Sequence, residues 1–141
     1  MTVLLPPDYK PLAKEPFMNK KMLEFFRQKL LNWKTELLSE SNSTIQLLQE
    51  GGNSESDLGD RASVETNRSI ELRTRDRARK LTTKIDEALE RIENGSYGYC
   101  IETNEPISIS RLEARPIATL SIEAQERHER MEKTRRDEKF L

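Results

Sequence analysis

The 141-residue chain has one cysteine, one histidine, 6% aromatic residues and no long apolar run. A single thiol, Cys100, cannot close an intramolecular disulfide, and beside the lone His128 it leaves the chain without the usual soft ligands of a structural zinc site. Nothing approaches the roughly 20 consecutive apolar residues of a membrane span, and no basic stretch leads into an apolar core at the N-terminus, so a cytoplasmic protein is expected. Charge of one sign is lacking as well. The 24 basic and 25 acidic residues leave a net charge of −1, which excludes coating of nucleic acid by bulk electrostatics. No Ser/His/Asp set, Gly-rich phosphate loop or metal-binding motif is present, so the chain is not expected to be an enzyme and no catalytic residue is assigned.

What the chain has in quantity is charge. Charged residues make up 35% and hydrophobic ones 34%, with a mean hydropathy of −0.82. That is too little apolar material for a deep two-sided core, and extended helical packing fits better than a compact α/β fold. Residues 1–18 hold four of the six prolines and read as an extended arm. From 19 to 49 there is neither Pro nor Gly, and Leu23, Phe26, Leu30, Trp33 and Leu37 recur at the alternating spacing of a heptad seam, with Asn19 as the N-cap. Gly51, Gly52, Asn53 and Gly59 reverse the chain. A second seam follows through Val64, Ala78, Leu81, Ile85, Ala88 and Ile92, interrupted by Asn67, Glu71 and Thr74 and stopped by Asn94-Gly95.

The spacing therefore predicts an antiparallel coiled-coil hairpin over 19–95 with its tip at 50–62. The short loop favours pairing within one chain over dimerisation, and a monomer is expected. Residues 96–120 turn to short apolar alternations around Thr103-Asn104-Glu105-Pro106 and read as a small hairpin or irregular knob. Residues 121–141 read as a last charged helix capped by Ser121. The fold class expected is mainly α, a long hairpin projecting from a small α+β head.

Three places carry chemistry. The tip holds Glu50, Glu55, Asp57 and Asp60 with no basic residue from 50 to 60. It reads either as a solvated acidic loop or as a probe that delivers carboxylates into a deep site. Between 66 and 84, seven basic side chains face only Glu71 and Asp76, and Arg73, Arg77, Lys80 and Lys84 share one helical face. That stripe is either neutralised by glutamates of the first helix or docks an acidic partner. In the knob, Cys100 reads as a buried small hydrophobe rather than a nucleophile, since no histidine or helix start is evident beside it, and His128 reads as exposed.

Together the tip Asp57-Leu58-Gly59-Asp60-Arg61-Ala62, the stretch Glu71-Leu72-Arg73-Thr74-Arg75-Asp76-Arg77, and Tyr97-Gly98-Tyr99-Cys100 followed by Arg111-Leu112-Glu113-Ala114-Arg115-Pro116 resemble the DksA family of bacterial transcription factors. The resemblance implies a factor that binds RNA polymerase rather than DNA, enters its secondary channel and modulates promoter complexes, such as those at ribosomal RNA and amino-acid promoters. It implies Asp57, Asp60 and Ala62 near the polymerase active site, Arg73 and Arg77 in polymerase docking, and Leu81, Lys84 and Arg115 at a site for ppGpp. A further basic position of that site reads Gln125, the loss of a charge-assisted contact of about 1–3 kcal/mol. The family's four zinc cysteines fall at Cys100, Thr103, Ser121 and Ala124, which resembles the cysteine-poor, zinc-independent branch. No zinc is expected, and Ile101, Ile107, Ile109 and Leu120 are expected to hold the knob by packing. Two other readings stay open: a transcript-cleavage stimulator like the Gre factors, and a helical hairpin adaptor for another protein.

Overall fold

The computed structural model describes residues 4–51 and 58–139, with side chains described over 4–50 and 62–136. Four helices follow in order: α1 Lys20–Gly51, α2 Leu58–Asn94, α3 Ile109–Ala114 and α4 Ile122–Lys139. At about 1.5 Å per residue, the 32 residues of α1 extend about 48 Å. No helix among the described residues is long and apolar enough to cross a membrane. Contacts divide the chain into two units, Leu30–Glu87 and Met1–Lys29 with Ala88–Leu141.

In the first unit, α1 and α2 form an antiparallel hairpin. Lys34 Nζ meets Asp86 Oδ1 at 2.7 Å and Gln49 Nε2 donates to Glu71 at 3.4 Å. As the position on α1 advances from 34 to 49, its partner on α2 steps back by the same interval. Leu30, Ile45, Ala78 and Ile85 are buried in the seam, flanked by half-buried Trp33, Leu37 and Leu81. Asn67, Glu71 and Thr74 do not interrupt it: all three are half-buried at heptad positions. Two of them find local partners, Glu71 with Arg75 and Gln49, and the Thr74 hydroxyl with the Ile70 carbonyl at 2.8 Å.

The other unit is capped and pinned by local chemistry. The Asn19 side chain accepts from Met22 N at 2.9 Å, which fixes the start of α1. Gly95, at φ 84°, ends α2 as Ser96 N returns to the Arg91 carbonyl at 3.0 Å. The core gathers Met22, Phe26, Ala88, Tyr97, Cys100, Ile107, Leu112 and Ala124. The Glu24 carboxylate is also buried, paired with Arg27 at 2.9 Å and with Gln28, and the Arg27 hydrogen bonds hold it below the usual carboxylate range.

The expected β part of this unit shrinks to one bridge, Tyr99 with Pro106, and no strand pairs elsewhere among the described residues. Pro106 brings no backbone donor, and Ser108 at once caps α3 by accepting from Arg111 N, so the ladder has nowhere to run. A second correction concerns Ile101. Ile101 opens the turn that Asn104 N closes onto the Cys100 carbonyl at 2.9 Å, and it is 65% exposed. Ile107 is buried, and Ile109 and Leu120 are half-buried.

Replacing Ile85 with Ala removes a fully buried seam side chain. It should lower unfolding free energy by about 2–5 kcal/mol in urea titration, against about 0.5 kcal/mol or less for Leu47→Ala at an exposed position.

Candidate functional site: the hairpin's charged faces and the knob

The acidic tip is known by sequence only in part. Asp57 and Glu55 lie outside the described residues. Asp60 belongs to the first turn of α2, with its side chain outside them, while Ala62, two residues further on, is exposed.

Along α2 the basic side chains sort into two groups. Arg75 pairs with Glu71 at 2.9 Å, Arg79 pairs with Asp76, and Lys80 reaches Asp76 at 3.4 Å. The neutralising acids are thus on α2 itself, one turn away, and not on α1 as one reading of the stripe required. Hydrogen bonds from Arg79 and Lys80 hold the Asp76 carboxyl below its usual range. Arg73 donates to the Ser69 hydroxyl at 3.1 Å. Arg73, Arg77 and Lys84 are exposed and make no ion pair among the described residues. Two guanidinium groups and an ammonium therefore remain free for an acidic partner, and they lie on one face with half-buried Leu81 at its inner edge.

The family-like motifs of the knob turn out to be its joints. Tyr97 is 1% exposed and donates its hydroxyl to the Pro116 carbonyl at 2.7 Å; burial raises its pKa well above the ordinary 10.0. Gly98 adopts φ 89°, and a Cβ there would lie 2.8 Å from the Met18 methyl and 3.2 Å from Phe17. Tyr99 meets Phe17 edge-on, 5.2 Å between ring centroids. Arg111 Nε donates to the Leu120 carbonyl at 2.9 Å, and Arg115, exposed, closes α3 by its backbone.

Cys100 is fully buried, as expected, but its surroundings are polar. Burial pushes the thiol up, yet hydrogen bonds from the Thr103 hydroxyl and from the backbone of Ser121, Thr103 and Glu102 outweigh it and bring the pKa from 9.0 down to about 6. The helix start that sequence reading did not place beside Cys100 is there: Ser121 caps α4, its Oγ accepting from Ala124 N at 3.3 Å. Of the four positions singled out for zinc, three are buried (Cys100, Ser121, Ala124) and Thr103 is half-buried. They do not suit the metal. The Ser121 oxygen is engaged in capping, the Thr103 hydroxyl serves the thiol, and Ala124 has no donor atom; no cluster of three or more His, Cys, Asp or Glu exists among the described residues. His128 is exposed as expected, and contacts Glu102 across the knob.

Comparison with known proteins decides what this set of features belongs to. The family "DnaK suppressor protein DksA, N-terminal domain" matches residues 22–92, and "Prokaryotic dksA/traR C4-type zinc finger" matches residues 95–130. The chain belongs to the DksA family. A Caulobacter vibrioides protein named RNA polymerase-binding transcription factor DksA is 62% identical over 131 residues, 93% of this chain and 92% of that one. The Escherichia coli protein of the same name is 40% identical over 115 residues, 82% and 76% of the two chains. The structure of transcription factor DksA2 from Pseudomonas aeruginosa superposes with TM-score 0.76 at 43% identity, covering 86% of this chain and 95% of that one. These relatives are named as transcription factors, not enzymes, and the DksA2 likeness supports the coiled-coil hairpin.

Sequence reading missed one feature of the hairpin. Among the described residues the buried Thr82 hydroxyl has no hydrogen-bond partner, an arrangement that costs about 1–3 kcal/mol. Its only signal in the sequence was a threonine beside the seam.

Because the Cys100 pKa is lowered on folding, the unfolded chain binds the extra proton between about pH 6 and 9. Stability contributed by the thiolate is therefore present above the unfolded value and lost as pH falls through about 6. Urea titrations across that window should show the wild type gaining stability with pH relative to Cys100→Ala. Gly98→Ala should lower unfolding free energy by about 1–3 kcal/mol at any pH, since both its φ and its neighbours oppose a Cβ.

Proposed function

We propose that this chain binds bacterial RNA polymerase and regulates transcription from the secondary channel without reading DNA sequence. The observation that carries the reading is the exposed Arg73, Arg77 and Lys84, without an ion pair among the described residues, on a helix where Arg75, Arg79 and Lys80 pair with Glu71 and Asp76, in a chain of the DksA family. Relatives named RNA polymerase-binding transcription factors supply the partner. Arg73 and Arg77 dock on acidic polymerase surface, and the hairpin carries Asp57, Asp60 and Ala62 towards the active site. Leu81 and Lys84 on α2, and Arg115 after α3, are the positions for ppGpp. Gln125, whose amide contacts Glu129 at 3.2 Å, offers the phosphates no cation, so the ppGpp response is expected to be weaker than in relatives with a basic residue there. The protein acts as a cytoplasmic monomer and needs no zinc.

Regulation then follows from differential binding. A factor that favours one polymerase conformation by about 1.4 kcal/mol changes the lifetime of a promoter complex about tenfold. Promoters with short-lived complexes, such as those of ribosomal RNA, respond most.

Transcription from a ribosomal RNA promoter with purified bacterial polymerase tests this. The wild type should inhibit several-fold, ppGpp should deepen the effect, and Asp57→Asn and Asp60→Asn should lose inhibition while binding polymerase within about threefold of wild type. RNA fragments released from a backtracked complex would instead identify a cleavage factor, and undiminished inhibition by the tip variants would fit an adaptor docking through its stem. Elemental analysis should find less than about 0.1 zinc per chain, and a chelator should leave the melting temperature unchanged within about 1 °C.

A further inference from the structure

Between α3 and α4 the chain runs through residues 115–120 without regular structure, and connections of this kind are ordinarily the mobile parts of a fold. Here four of the six carbonyls are taken. Ala118 N donates to Arg115 O at 3.0 Å, the Tyr97 hydroxyl to Pro116 O at 2.7 Å, Ile101 N to Thr119 O at 2.9 Å and Arg111 Nε to Leu120 O at 2.9 Å. The connection is a strap fastened along its length.

The first residue of the strap is held on both sides. Arg115 N donates to Arg111 O at 2.7 Å, and the proline after it disfavours a helical backbone at Arg115, which lies at φ −135° and ψ 83°. Pro116 itself is buried, and its carbonyl accepts from Tyr97. The Arg115 side chain, by contrast, is exposed and makes no ion pair among the described residues. Its backbone is fixed while its guanidinium donors are kept open for an anion.

We propose that Tyr97 is a positioning residue for ppGpp, fixing through the Pro116 carbonyl the backbone from which Arg115 meets the phosphates. The assignment rests on the ppGpp reading above and adds to it a residue that never touches the ligand. An arginine on a loose loop must order both loop and side chain when it binds, whereas one on a fastened strap orders the side chain alone. Fixity counts for more in this chain because Gln125 supplies no cation beside Arg115. Packing alone does not account for a tyrosine at this position: the ring lies 5.6 Å from that of Phe26 between centroids, a contact that phenylalanine would make equally well. What the hydroxyl adds is the grip on the carbonyl next to Arg115.

A ppGpp titration of transcription from a ribosomal RNA promoter, with the full chain and bacterial RNA polymerase, tests this. The quantity read is the ppGpp concentration that gives half of each variant's own full response. A smaller folded fraction lowers the size of the response but leaves that concentration unchanged. Tyr97→Phe keeps the ring, removes the hydroxyl and should need about fivefold more ppGpp. Ile107→Val loosens the same core without touching a strap carbonyl and should stay within about twofold of wild type. Arg115→Ala should need about tenfold more or above, and adding Tyr97→Phe to it should shift the concentration no further, since nothing is left to position. An unshifted Tyr97→Phe, a shift matched by Ile107→Val, or a further shift in the double variant would each overturn the assignment while leaving the ppGpp reading standing. A wild type indifferent to ppGpp would overturn both, and an Arg115→Ala variant that responds like wild type would remove Arg115 from the site and the role of Tyr97 with it.

Discussion

Helix α2 can bury only one narrow stripe, and most of what the protein does with charge depends on that constraint. With Ala78 and Ile85 buried and Leu81 half-buried, the remaining circumference of the helix is left to water and to partners. Such a helix is not stable by propensity alone at this length; it needs the second helix to cover its stripe. Pairing with α1 meets that need and fixes rotation, since a heptad seam admits one facing side. Once rotation is fixed, every charged residue on α2 has an assigned direction. The Arg73, Arg77 and Lys84 face and the Leu72, Arg75 and Arg79 face are consequences of where the seam lies.

The knob meets a different shortage. A segment of some 35 residues with few large apolar side chains ordinarily relies on disulfides or a metal. Here the cross-links are hydrogen bonds placed where chain segments pass: Tyr97 to Pro116, Arg111 to Leu120, Ile101 N to Thr119 O at 2.9 Å, and the ring of donors around Cys100. Each is worth about 1 kcal/mol rather than the 10 or more of a bound zinc, but none depends on metal supply. The single thiol sits among donors that favour its anionic form.

Long-range order in this fold was legible because it is written in spacing. The heptads, the Asn19 cap and the Asn94-Gly95 stop need only near neighbours in the sequence, and sterics leave few alternatives. Even so, the seam ran on through Asn67, Glu71 and Thr74, because polar side chains at half-buried positions are tolerated when an i,i+4 or cross-helix partner exists. The knob was less legible for the opposite reason. Whether Cys100 lies beside a helix start depends on α4 folding back to it across some 20 residues, and no local pattern encodes that approach. Ile101 was assigned inward by hydrophobicity, whereas it opens an exposed turn after Cys100. Among candidate site residues, the basic stripe could be found by counting; which of its members stay unpaired required knowing that Asp76 would take Arg79 and Lys80.

This last distinction bears on how a nearly neutral protein can seek an acidic partner. A uniform basic helix would attract any polyanion, and its affinity would fall steeply with salt. Pairing Arg75, Arg79 and Lys80 with Glu71 and Asp76 within α2 weakens that long-range field and leaves Arg73, Arg77 and Lys84 without an ion pair among the described residues. On the proposed reading, a partner gains most where its carboxylates match Arg73, Arg77 and Lys84. On the proposed reading, the pairing of Asp76 is a specificity device. It costs nothing in the fold, since these ion pairs are exposed and contribute little to stability, and it discriminates a protein surface from the nucleic acid that surrounds any polymerase.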